Sequence, residues 1–407
     1  GRNVKVPSFI LRIIKNQAGC KPDRRRKRMK NFNHFSPTEI VFGCGCIEEI
    51  GKIAREYGSR VLMVTESMDS PVASVFTRVK DILEKGGLKV AQFDGVKPNP
   101  TTDIVTKGAC LAKEFCAQVV VGIGGGSSMD TAKAIAVEAT HLGTAWDYNC
   151  HTDGPTDKTL PILAVSTTAG TGSQVTQCAV ITKTEDKDKS AIWHKNIFPK
   201  AAIVDPELTA SMPKSVTSQT GFDAFCHNFE AYLSVNTNPL VEIMAENAIE
   251  IIAEYLPKAL ENGNDLEARS KMAWADTLGG FTNSNAGVTL PHGLGMQVGG
   301  HCPHVTHGQA LAAIYPEFTR YTYKSAVAKF AKVGRIFNPE LKKETDEAAA
   351  ERACEEIDSF LKKIGLWIGF KDLNVSKEEI REIADCGQVL GDYLNNPKVA
   401  SIDEMYE

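Results

Sequence analysis

Residues 119–133 read VVVGIGGGSSMDTAK, and this stretch decides the fold. An apolar run enters three consecutive glycines, Gly124, Gly125 and Gly126, and Ser127 and Ser128 open the next element. Glycines let a backbone approach a ligand closely, and the free N–H groups of a helix N-terminus bind phosphate. The pattern is neither GxGxxG nor a P-loop. It predicts a buried strand over Gln118–Ile123, a phosphate-binding turn and a helix over Ser127–Glu138. Upstream, RVLMVTE (Arg60–Glu66) reads as a strand, VFTRVKDILEKGG as a helix closed by Gly86 and Gly87, and Lys89–Asp94 as the next strand. A helix runs from NPTT as far as Cys116, and Leu160–Ser166 is another strand. Alternation of this kind predicts a parallel sheet covered on both faces. After Pro213 the pattern is helical almost throughout.

With 407 residues the chain is long enough for two domains. The expected division is a basic tail at 1–28, an α/β dinucleotide-binding domain at 29–210 and an all-α domain at 211–407. The tail holds ten Lys/Arg and one Asp, a local +9 that leaves −13 for the rest of a chain whose formal charge is −4. Such a run can bind nucleic acid or serve as a localisation signal or transit peptide, but it is expected to be disordered, or a remnant of expression or of translated upstream sequence, and the abrupt end at Glu407 leaves a longer protein open. The acidic remainder gives no reason to expect nucleic acid. No apolar run is long enough to span a bilayer. Eleven cysteines without a CxxC pair point to reduced thiols and a cytoplasmic location.

Two further segments carry chemistry. STTAGTGSQVT (166–176) is a second small, hydroxyl-rich loop after a predicted strand, suited to wrapping a pyrophosphate or covering a nicotinamide. GFDAFCHNFEAY (221–232) places Asp223 and His227 four apart, on one face of a helix. His292 in TLPHGLG and His307 in HVTHGQALA complete three imidazoles and one carboxylate, a donor set for iron or zinc. Glu66 ends its strand where an acid can bond ribose hydroxyls and repel a 2′-phosphate. Asp130 and Lys133, three apart, can touch substrate or cofactor or pair with each other. Asp130 is a catalytic candidate.

In order along the chain, GIGGGSSMDTAK (122–133), TTAGTGSQVT (167–176), AAIVDPELTASMP (201–213), GFDAFCHNFEAY, PHG (291–293) and THG (306–308) resemble the iron-containing (group III) alcohol dehydrogenase family. The resemblance runs from about Met29 to the end. It implies a Rossmann-like α/β domain followed by a helical metal-binding domain, the fold shared with dehydroquinate synthase. It implies NAD(H) rather than NADP, and one divalent metal, Fe2+ or Zn2+. By position, Asp223, His227, His292 and His307 are similar to the family's metal ligands. Gly124, Gly125, Gly126, Ser127, Asn99, Thr167, Thr168, Thr171, Lys189 and Glu66 are similar to its cofactor contacts. The implied activity is hydride transfer between a small primary alcohol or aldehyde, an anionic aldehyde included, and nicotinamide C4, in a homodimer or larger assembly.

Two positions depart from the family pattern. Many members carry a histidine four residues after the third ligand, where this chain has Met296, and Gln174 stands where Glu is commoner. With Met296 the proton path falls to a water chain, the ribose hydroxyls or His301, and His301 is the side-chain candidate. His304 competes with His307 for the fourth ligand position, and GQALAAIYP after His307 favours the latter. The alternative readings are a cofactor-retaining hydroxyacid-oxoacid transhydrogenase and a dehydroquinate synthase-like lyase. No Lys/Arg cluster lies near the ligand motifs to serve the lyase.

Overall fold

The computed structural model describes residues 31–407, so the basic tail at 1–28 lies outside the described residues. The strands are β1 (Glu39–Phe42), β2 (Arg60–Glu66), β3 (Lys89–Val96), β4 (Val119–Gly124), β5 (Ile162–Ser166), β6 (Cys178–Lys183), β7 (Asp188–Trp193) and β8 (Ala201–Val204). Six form one parallel sheet in the order β1-β8-β5-β4-β2-β3, and β6 and β7 pair as an antiparallel hairpin.

The side-chain period of two explains how the sheet is covered. Val61 and Met63 of β2 and Val119, Val121 and Ile123 of β4 face one core. Helices α1 (Ile50–Tyr57) and α2 (Ala73–Lys85) supply its other wall, through Ile50, Phe76, Val79 and Leu83. The alternate residues Leu62, Val64 and Val120 face a second core, closed by α3 (Thr102–Glu114), α4 (Gly126–Glu138) and the hairpin. A strand covered on both sides is apolar at every position, and this made β2, β4 and β5 readable. Four strands were not expected from sequence: β1, β6, β7 and β8. β1 and β8 have four residues each. β6 and β7 mix polar with apolar residues, because their outer side is not packed on the sheet.

From Lys214 onward the described residues form helices and turns. The α-helices are α5 (Lys214–Leu233), α6 (Pro239–Glu261), α7 (Leu266–Ala286), α8 (Leu290–His301), α9 (His307–Thr322), α10 (Val327–Phe337), α11 (Asp346–Lys363), α12 (Lys377–Asp385) and α13 (Ile402–Tyr406). Phe222, Phe225 and Phe229 on α5 pack with Tyr315, Phe330 and Phe360 at its centre. This wall of rings fixes the rotation of α5 and therefore the direction of its opposite face.

The chain runs outward from β2 to β3 and, in the other direction, from β4 to β5. The carboxyl ends of β2 and β4 therefore flank a topological switch point, where open α/β sheets bind their ligands. Glu66 and Gly124 are the last residues of those two strands.

Candidate active site

The glycine turn and the hydroxyl-rich loop meet at this edge. Thr167 N–H donates to the Gly124 carbonyl at 3.0 Å. A Cβ on Gly126 would lie 2.6 Å from Thr171 Cγ2, so only glycine allows the two loops this approach. Gly125 N-caps α4 without a side-chain cap, which leaves the first amides of the helix to a ligand. Glu66 is held by the Ser70 hydroxyl at 3.0 Å. Asn99, left-handed at φ 54°, accepts at Oδ1 from Lys189 Nζ at 2.8 Å. Burial lowers the Lys189 ammonium to about 8, against the opposing pull of Asp130 and Asp223.

Asp130, expected as a catalytic residue, is held on both carboxylate oxygens. One carboxylate oxygen accepts from Ser173 Oγ at 2.6 Å and the other from Val180 N–H at 3.0 Å, and Lys133 pairs with it at 3.8 Å. Lys133, fully buried, donates to Ser173 O, Thr176 Oγ1 and Cys178 O. The pair is a buried post that ties α4 to the loop and to β6.

The far side of the same loop is fastened to α7. Gln174 Nε2 and Gly172 N–H each donate to Asp276 at 2.7 Å. Burial raises the Asp276 carboxyl to about 7, although both hydrogen bonds oppose the rise. A carboxyl raised in the folded state adds stability that is complete below its ordinary value near 3.8 and is lost as pH climbs through about 7. The melting temperature is therefore expected to fall between about pH 4 and about pH 7, the window set by those two values, and to fall less steeply in Asp276→Asn. Equal slopes in thermal melts of the two proteins would reject this account.

The predicted ligands come from three helices. Asp223 and His227 lie on α5, His292 on α8 and His307 at the start of α9. One nitrogen of each imidazole approaches Asp223 Oδ1, which lies 3.4 Å from His292 Nε2, 3.5 Å from His227 Nδ1 and 3.7 Å from His307 Nε2. Asp223, His292 and His307 each offer a ligand atom within 4.8 Å of the others. His227 stands beside this group of three, its ring 4.4 Å from that of His292, with Nδ1 donating to the Gly170 carbonyl at 3.1 Å. That bond leaves Nε2 with the lone pair.

Asp223 Oδ1, His292 Nε2 and His307 Nδ1 are buried without a hydrogen-bond partner. Buried polar atoms are rarely left so, and here Asp223 Oδ1 and His292 Nε2 lie 3.4 Å apart, with the other His307 nitrogen, Nε2, 3.7 Å from the same oxygen. The residues fit a divalent cation. Burial works against the Asp223 charge, but the three histidines override it and hold the carboxyl at about 2. His292 loses proton affinity to burial and regains more from Glu230 and Asp223, reaching about 10. His307 is pushed down to about 3 by burial, against the pull of Asp223 and with a further push from Lys189.

His301 and His304 stay outside the cluster. His301 ends α8, nine residues from His292 and therefore about 13.5 Å away along the axis. Its Nδ1 donates to the Gln297 carbonyl. His301, expected to serve the reacting centre, is thus not brought into the cluster. His304 donates from Nε2 to Leu373 O at 3.0 Å. Met296 and Gly299 come after His292 at i+4 and i+7 on α8. A Cβ on Gly299 would lie 2.8 Å from Lys189 Nζ. One residue was missed by sequence reasoning: Glu230, seven after Asp223 on the same face of α5, accepts from His292 Nδ1 at 2.8 Å. The signal was present as the spacing Asp223, His227, Glu230.

Residues 37–206 match the model of the family described as iron-containing alcohol dehydrogenase, and residues 217–407 match that of the Fe-containing alcohol dehydrogenase family, C-terminal. The NAD-dependent methanol dehydrogenase of Bacillus methanolicus is 33% identical over 379 residues, which cover 92% of this chain and 97% of that protein. The choline dehydrogenase of Bacillus subtilis (strain 168) is 40% identical over 328 residues, covering 79% and 81%. Among solved structures, the archaeal halo-thermophilic Red Sea brine pool alcohol dehydrogenase aligns with a TM-score of 0.89 at 33% identity over 94% of this chain and 98% of its own. With both halves of the sequence matched, the chain belongs to the iron-containing alcohol dehydrogenase family.

Proposed function

We propose that the protein is a metal-dependent, NAD(H)-linked alcohol dehydrogenase and aldehyde reductase acting on small primary alcohols or aldehydes. The carrying observation is that two buried, unpartnered atoms, Asp223 Oδ1 and His292 Nε2, meet at 3.4 Å with His307 Nε2 3.7 Å from the same oxygen. Those residues and His227 would hold one divalent ion, Fe2+ in preference to Zn2+. Gly124, Gly125, Gly126, Ser127, Asn99, Thr167, Thr168, Thr171 and Lys189 would hold the dinucleotide. Glu66, at the end of β2, favours NAD over NADP by repelling a 2′-phosphate.

A bound metal supplies Lewis acidity, and NAD(H) supplies or accepts the hydride. The chain's own residues do the rest. Asp223 brings one negative charge to a buried ring of imidazoles. The amides at the start of α4 hold the pyrophosphate, and the loop 166–176 closes against them. Met296 lines the α8 face between His292 and Gly299 and carries no proton, so proton exchange falls to water or ribose hydroxyls.

The domain division is proposed near residue 210, just before α5. A cytoplasmic location is supported by ten described cysteines that are all free thiols. No helix among the described residues is long and apolar enough to cross a membrane. A homodimer is supported by β1, which has one neighbour in the sheet and exposes Phe42 beside Trp274.

The test is metal analysis of protein purified without oxygen, joined to NAD(H)-coupled assays over small alcohols and aldehydes. The expected result is about one Fe or Zn per chain and turnover abolished by a chelator. Absence of metal-dependent NAD(H) turnover on every compound would sink the reading.

A further inference from the structure

Glu230 has no exposed surface, yet four donors of the helical domain converge on its carboxylate. His292 Nδ1 lies 2.8 Å from Oε1, and the Tyr315 hydroxyl 3.3 Å from the same oxygen. Thr289 gives Oε2 its backbone N–H at 2.8 Å and its hydroxyl at 3.3 Å. Thr289 is the N-cap residue of α8, and His292 is the third residue of that helix. Glu230 thus grips α8 twice, once through the backbone at its first turn and once through the His292 ring.

The chemistry of that grip sets the state of the ring. A carboxylate accepts and does not donate, so the nitrogen facing it carries hydrogen. In neutral His292 the hydrogen is then on Nδ1 and the lone pair on Nε2. That is the atom buried without a partner, 3.4 Å from Asp223 Oδ1. Asp223, His227 and Glu230 lie on one face of α5, so a single helix presents the charge at the cluster and the clamp behind it. The aromatic wall of Phe222, Phe225 and Phe229 prevents α5 from rotating to release either.

We infer that Glu230 is a positioning residue that fixes the tautomer and aim of His292 and so prepares the cluster to take a divalent metal. The inference rests on the proposed metal site and adds a residue to it. Partners of this kind, behind a metal-binding histidine, change metal affinity by about 10–100-fold when removed.

Zinc affinity of the full-length protein, measured by competition with a chromophoric chelator, tests this. Glu230→Gln is expected to bind Zn2+ about 10–100-fold more weakly and to shift the visible bands of the Co2+-loaded protein. Tyr315→Phe, which removes a different donor from the same carboxylate, is expected to stay within about threefold of wild type, since it leaves the imidazole untouched. Asp223→Ala serves as the reference for the site itself. If Asp223→Ala loses zinc while Glu230→Gln keeps wild-type affinity and spectrum, the role of Glu230 is overturned. If Asp223→Ala also keeps its zinc, the metal site fails instead, and this inference with it. Should Glu230→Gln not fold, the 15N-histidine spectrum of the zinc-loaded wild type decides. A proton on Nδ1 that disappears in His292→Gln supports the role, and its absence overturns it.

Discussion

Asp223→Ala is expected to give a folded protein that retains no divalent metal and turns over alcohol at least on the order of 10³-fold more slowly, the cost of losing several kcal/mol of Lewis-acid stabilisation. Among the described residues, Asp223 is the only carboxylate whose oxygen lies within 4 Å of all three clustered histidines. Its removal leaves imidazoles alone to hold the cation. The fold should survive, because the α5 core is built from Phe222, Phe225 and Phe229 on other faces of the helix. Metal content, circular dichroism and NAD(H)-coupled rates measured on one preparation check all three parts. A variant with wild-type metal content and rate would show that the ion, or the reaction, sits elsewhere. Asp223→Asn separates charge from shape. It keeps an acceptor oxygen in place, so a loss as large as that in Asp223→Ala would assign the effect to the negative charge.

Gly280→Ala is the second large effect expected, and it works through the backbone. Gly280, on α7, faces the loop at Gly172, and an added Cβ would lie 2.5 Å from the Gly172 carbonyl oxygen and 2.5 Å from Val175 Cγ2. Gly172 cannot relieve the clash by taking a side-chain conformer of its own. Its backbone sits at φ 61°, and its amide is tied to Asp276. Overpacking of this kind costs about 1–3 kcal/mol, which lowers the melting temperature by on the order of 5 °C. Zinc retention and the KM for NAD should worsen together, since the displaced loop carries both Gly170 and Thr171. Gly293→Ala is the comparison: its Cβ would meet Asp392 Cβ at an ordinary 3.5 Å, and that variant should melt close to wild type. Equal melting temperatures for the two variants would refute the backbone argument.

Much of this was legible in the sequence because the physics was local. Strands β2, β4 and β5 are apolar at successive positions since both sheet faces are covered, and Gly124–Gly126 mark a turn no other residues make easily. Asp223 and His227 declare themselves by helical spacing. What escaped reading depends on contacts far apart in the chain. Asp130 looks like an active-site acid from its place beside the glycines, but Ser173 and Val180, brought in by the loop and by β6, occupy it. His301 looks close to His292 in sequence, and the rise of α8 carries it away. Glu230 was hidden among the apolar residues of α5 because its four donors arrive from α8 and α9. Gln174, an isolated departure in sequence, becomes intelligible opposite Asp276, where a second carboxylate would meet a buried first one.

The loop 166–176 lies between the two halves of the site with little slack on either side. Thr171 abuts Gly126, Gly170 O receives His227, and Gly172 is pinned to α7. A perturbation anywhere along it reaches two ligands at once. Kinetic labels such as "cofactor mutant" or "metal mutant" therefore lose their meaning over these eleven residues. Apparent dinucleotide affinity and metal occupancy become two readings of one mechanical variable, and reciprocity of binding free energies requires that whatever stiffens the loop for one ligand favours the other by the same factor.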